Sequence, residues 1–136
     1  AEYKAYGVSA RGLFTQAFLH DTGALNTALG NSNAELDNVA SRKLGAYGEI
    51  AYDVLPLVWS DTRASVEPFF RYERLDTQNR MSPSDVANQN YTRDIYTVGL
   101  QIKPIPNVVF KIDYSNIKPE TGVVANQMQF GAGYVF

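Results

Sequence analysis

Along this chain the side chains change character at every second residue. Six segments keep that alternation: Glu2 to Leu19, Leu44 to Pro56, Ala64 to Leu75, Ile95 to Pro104, Val108 to Ser115 and Gln127 to Phe136. A period of two predicts β-strands. The even positions from Tyr6 to Phe18, Leu44 to Pro56, Ala64 to Tyr72, Tyr96 to Pro104, Val108 to Tyr114 and Met128 to Phe136 carry no charge. The odd positions carry the ionic chemistry: Arg11, Glu49, Asp53, Arg63, Glu67, Arg71, Glu73, Lys103, Lys111 and Asp113. One face of the predicted sheet is therefore apolar and the other asks for water or paired charge.

A water-soluble sandwich also alternates, but its buried face favours Val, Ile and Leu. Here the uncharged face includes Ala10, Gly12, Ala46, Gly48 and Ala132. The last segment, with Met128, Phe130, Ala132, Tyr134 and Phe136 on one face, would be an aggregation-prone edge in water. It fits better where that face meets lipid.

The connections differ in length. Leu57 to Arg63 and Ile105-Pro106-Asn107 are short, whereas about 20–43, 76–94 and 116–126 are long and rich in Asn, Asp, Ser, Gly and Thr. Short turns at one end and long solvated loops at the other is how transmembrane barrels are built, with the short turns periplasmic. Counting back through six strands puts both chain ends on the short-turn side. Tyr and Trp favour membrane interfaces, and they fall near strand ends: Tyr72, Tyr96 and Tyr114 beside the long loops, Tyr6, Trp59, Tyr134 and Phe136 at the opposite rim.

The chain has 136 residues, 45% hydrophobic and 19% charged, with net charge -2, which by itself describes an ordinary globular domain. No run of about 18 apolar residues is present, so a transmembrane helix is excluded while a barrel, whose strands need only about 9–11 residues each, is not. There is no cysteine, which removes disulfides and thiolate metal sites.

Six strands are too few to close a membrane barrel, whose smallest members have about 8. The expectation is an all-β, antiparallel transmembrane β-barrel of which residues 1–136 form the C-terminal segment, the whole having for example about 16–18 strands. The octet Gln129 to Phe136, with Gln129, Gly131, Tyr134 and Phe136, resembles the β-signal that the barrel assembly machinery reads in Gram-negative outer-membrane proteins. The stretches Gly48 to Pro56, Pro68 to Gln78 and Leu100 to Tyr114 resemble the last strands of porin-like proteins related to the phosphate-selective porins. That resemblance implies an outer-membrane location, the lipid bilayer and the assembly machinery as partners, and a homotrimer.

The inward charges are the pore-lining candidates, and their near balance argues against strong anion selectivity. The function expected is passive diffusion of small hydrophilic solutes or ions, with no catalytic residues, no cofactor, no metal and no nucleic acid. The alternative is a barrel that sheathes a bound partner or surface complex without conducting. His20, the single histidine, has no motif around it that would make a Ser-His-acid site. Asn31 to Asp37 offers oxygen ligands but lacks the glycine and closing glutamate of a calcium loop. Ala24 to Leu29 has helix-forming composition after Asp21 and Thr22, predicting a short helix in the first loop.

Overall fold

The computed structural model describes residues 1–30, 38–83, 85, 87–88 and 91–136; the Asn31 to Asp37 run lies outside them. In chain order the elements are β1 (Glu2–Ala5), β2 (Val8–Phe18), helix α1 (Thr22–Ala28), β3 (Arg42–Tyr52), a 3-10 turn (Leu55–Leu57), β4 (Ser65–Arg80), β5 (Thr92–Ile105), β6 (Val108–Pro119) and β7 (Ala125–Tyr134). Every strand pairs antiparallel with the next, giving one seven-stranded meander. The sheet is open: β1 and β7 are its two edges and do not pair with each other.

Seven strands replace the expected six because the first segment folds back on itself. Tyr6 (φ 53) and Gly7 (φ 80) both take left-handed backbone, as a two-residue hairpin turn of the mirror-image type requires. The turn reverses parity. Across β1 and β2 the pairs are Glu2 with Arg11, Tyr3 with Ala10, Lys4 with Ser9 and Ala5 with Val8. Glu2 and Lys4, even-numbered and charged, thus join the odd, charged face, while Tyr3 and Ala5 join the uncharged one. The seventh strand also corrects the direction of the chain: β1 starts from the long-loop side of the Tyr6-Gly7 turn.

Two of the expected long loops shrink. β4 runs on to Arg80, β5 begins at Thr92, β6 extends to Pro119 and β7 begins at Ala125, leaving connections at 81–91 and 120–124 in place of 76–94 and 116–126. Their polar composition reads as loop, yet the ladder continues through Asp76 with Thr92 and Asp94 with Lys118. The first long connection persists, holding α1 between β2 and β3.

Pro68 sits inside β4 without breaking the sheet. Val66, two residues before it, aims its N–H and C=O at the β3 side, to Asp53 Oδ1 at 3.1 Å and Val54 N at 2.9 Å. Pro68 faces the same way, and the β3 ladder stops at Ala51 with Phe69. Its missing donor therefore removes no ladder bond.

The burial pattern is inverted. Among the described residues the buried apolar side chains are Ala40, Ala51 and Phe69, against Thr22, Asn26, Asn38, Glu49, Gln78, Thr97, Asp113 and Ser115. Of these, Glu49, Thr97, Asp113 and Ser115 lie on the charged strand face; on the uncharged one Ile50 is 55% exposed, Val98 52% and Phe130 76%. A water-soluble domain buries the second set and exposes the first.

Candidate functional site

The register assembles the charged face into rows that run across the strands. One row crosses the whole sheet: Glu2, Arg11, Glu49, Arg71, Thr97, Ser115 and Gln127, each directly opposite the next. Glu49 is its hub. Its carboxylate is almost entirely covered, at 4% exposed, and each oxygen has its own guanidinium. Arg11 Nη2 donates to Oε1 at 2.5 Å, while Arg71 donates to Oε2 from Nε at 2.8 Å and Nη2 at 2.6 Å. Charge-assisted bonds of this kind hold long side chains flat on the wall. Arg71 is further steadied over the Tyr47 ring, 5.5 Å from its centroid, and lies 3.9 Å from Glu73. Further along the row Thr97 Oγ1 and Ser115 Oγ are joined by one hydroxyl hydrogen bond at 2.8 Å, before Gln127.

Toward the short turns a second cluster forms around Glu67. It accepts from Lys103 Nζ at 2.8 Å, Ser65 Oγ at 2.9 Å and Gln101 Nε2 at 3.1 Å. Lys111 pairs with Asp113 at 3.4 Å and rests over Phe69, 4.5 Å from the ring centroid. Phe69 in turn covers Gly99, its cross-strand partner. A Cβ at Gly99 would collide with the Phe69 ring and stand 2.6 Å from the Ile112 carbonyl. The glycine is what lets the aromatic lie down and present its face to Lys111.

Of the sequence candidates, Arg11, Glu49, Glu67, Arg71, Glu73, Lys103, Lys111 and Asp113 stand on one face of the ladder. Two do not. Asp53 follows β3, and its Oδ1 accepts the backbone N–H of Leu55 and Val66, each at 3.1 Å, so it fastens the turn. Arg63 is exposed in the segment before β4. What remains is four cations and four carboxylates, largely satisfied by one another.

The aromatic candidates divide by height. Tyr72 and Tyr96 are cross-strand partners with ring centroids 5.2 Å apart, and Tyr114 lies one row nearer the short turns, opposite Val98. Tyr6, Trp59 and Tyr134 are at the short-turn end. There the tail is tied down: Val135 N donates to Asn107 O at 2.9 Å, Asn107 Nδ2 donates back to Val135 O at 2.8 Å, and the Tyr134 and Phe136 rings meet at 5.8 Å. Gln129 and Gly131 lie opposite Asp113 and Lys111.

At the long-loop end polar contacts clamp two connections together. Asn26 of α1 is fully buried; its amide exchanges bonds with the Val39 backbone at 2.8 and 3.1 Å and donates to Asp85 Oδ2 at 2.6 Å. The predicted helix in the first loop is α1, Thr22–Ala28. His20 and Ser41 line a common cleft, but the Ser41 hydroxyl donates to the Arg80 carbonyl at 2.8 Å.

Sequence reasoning missed Ser115, Phe69 and Gly99 because it looked for charge. Gly99, a glycine at an odd position inside a strand run, was the available signal. No group of acidic and histidine side chains among the described residues could hold a metal ion. The chain matches no family model, no curated protein and no solved structure.

Proposed function

We propose that this chain is part of the wall of an outer-membrane β-barrel that lets small hydrophilic solutes or ions diffuse passively, its charged face toward the lumen and its uncharged face toward lipid. The observation that carries this reading is the inverted burial: glutamate, aspartate and hydroxyls covered, phenylalanine, isoleucine and valine exposed. Such a distribution is stable where the outer solvent is hydrocarbon and the inner one is water.

The height of the apolar band agrees. Along β4 the uncharged face runs from Val66 to Tyr72 and meets its first charge at Arg74. The stretch from Ser65 to Glu73 matches the roughly 9–11 residues with which a tilted strand crosses a bilayer. The remainder of β4 projects beyond. The open edges require further strands, from the same polypeptide or from other copies, because unpaired backbone groups cannot stand in lipid. The resemblance of Gln129 to Phe136 to an assembly signal supports biogenesis through the barrel assembly machinery, and the porin likeness supports a trimer.

The balance of the lumen charges points to weak selectivity, since each cation has a carboxylate beside it. Reconstitution in planar bilayers tests the function: inserted, folded protein passes current, and Lys111→Glu moves the reversal potential toward cations. Inserted protein that carries no current would remove the pore and favour a sheath around a bound partner.

A further inference from the structure

Above the apolar band the outward face changes sign. Arg42 and Arg80 stand directly opposite each other on β3 and β4, on the face that carries Phe18, the partner of Arg42 on β2. Like charges facing each other across a ladder are destabilising unless something answers them. Among the described residues no carboxylate pairs with either one; Arg42 Nε donates to the neutral Asn79 Oδ1 at 2.7 Å. The two arginines line a cleft of about 400 Å³ together with Phe18, Leu19 and His20. Asp21 also lines it. At the same end, Lys118 lies over the Tyr96 ring, 5.2 Å from its centroid, and Arg74 holds Asp94 at 3.4 Å.

This arrangement has the layout of an amphiphile: a cationic cleft above, aromatic and aliphatic side chains below. Guanidinium groups recognise phosphate oxygens with charge-assisted, geometrically matched bonds. A free phosphate would need only the arginines. A lipid also uses Phe18, 64% exposed at the lip of the cleft, and the uncharged strand face beneath it. We propose that the Arg42–Arg80 cleft binds the phosphate of a membrane lipid whose acyl chains lie against the band below. The inference rests on the membrane-spanning reading given above.

The test separates the two. The protein is refolded into phosphatidylcholine vesicles with and without phosphatidic acid, and insertion is read from quenching of Trp59, the single tryptophan, by brominated phosphatidylcholine. Lipid association is read from the immobilised spectrum of spin-labelled phosphatidic acid against spin-labelled phosphatidylcholine. The expected result is a preference for phosphatidic acid that falls about tenfold in the Arg42→Gln/Arg80→Gln variant, with Trp59 quenching unchanged. Inserted wild-type protein without that preference would overturn the lipid site and leave the barrel intact. Absence of Trp59 quenching would overturn the barrel itself, and the lipid site with it. Displacement of the labelled lipid by inorganic phosphate would reassign the cleft to a small anion and overturn the proposal.

Discussion

Two rows of residues cross the sheet one position apart in the chain. Arg11, Glu49, Arg71, Thr97, Ser115 and Gln127 form one; Ala10, Ile50, Phe70, Val98, Tyr114 and Met128 form the other. The backbone ladder is common to both, and only the side of the pleat differs. The polar row satisfies itself: carboxylate to two guanidiniums, hydroxyl to hydroxyl. The apolar row has nothing to pack on, with Ile50 and Val98 more than half exposed. A face that answers its own needs can stand in water, whereas a face that does not needs a cover, and lipid is the cover we propose for it.

The sharpest way to break the comparison is to put a charge in the middle of the apolar row. Val98→Arg replaces a side chain that touches little in the sheet, so on a water-facing surface it would change stability by less than about 0.5 kcal/mol. At the midplane of a bilayer the same change costs about 2–4 kcal/mol. Denaturant titration of the vesicle-inserted protein distinguishes the two, and a negligible effect would turn the uncharged face away from lipid.

The matching change on the other face is Glu49→Gln. It keeps the shape but takes the charge from between Arg11 and Arg71, which then face each other's fields with one neutral acceptor. Hydrogen bonds to charged groups contribute about 1.5–3 kcal/mol each, and the exposed side of Arg11 places the loss toward the lower end. The same titration reads it, and the loss should shrink as salt is added, because screening relieves the two arginines. A salt-independent loss would point to packing instead.

Gly99→Ala probes the place where the polar wall borrows an aromatic. The added methyl meets the Phe69 ring and the Ile112 carbonyl, and overpacking of this kind costs about 1–3 kcal/mol. Phe69→Leu in the same protein should recover part of it. Coupling between the two sites in a double-mutant cycle is the expected signature, and strict additivity would mean that Phe69 does not lean on Gly99.

How much of this was legible beforehand follows from what period two can and cannot report. Alternation names faces, so the separation of charged from uncharged positions was readable residue by residue. It does not report a turn that occupies only two residues and leaves alternation running on either side. Tyr6-Gly7 was hidden for that reason, although Glu2 and Lys4, charged at even positions, marked the reversal. Nor does composition mark where a strand ends once it leaves the apolar band. Asp76, Asp94 and Lys118 look like loop residues, yet the ladder runs through them: Asp94 stands between Arg74 and Lys118, and Asp76 between Leu44 and Thr92. Within the site, parity enrolled Asp53 and Arg63 because it cannot tell a strand from the turn that follows. The Glu49 hub needed the register of three strands, which is fixed by contacts far apart in sequence.

The smallest effect asks what lies against the polar row. Thr97 and Ser115 hold each other by one hydroxyl bond, and each is nearly buried by its neighbours. Thr97→Val leaves the serine hydroxyl without that partner. If the lumen is filled with water, a solvent molecule replaces the threonine and the change stays within about 0.5 kcal/mol. If another protein surface plugs the lumen and keeps it dry, the orphaned hydroxyl costs about 1–3 kcal/mol, and adding Ser115→Ala restores most of it by removing the second polar group as well. Equal stability of the Thr97→Val protein and the Thr97→Val/Ser115→Ala protein is therefore the outcome expected of an open channel. A single variant markedly less stable than the double would count against free passage through this wall and for an occupied barrel.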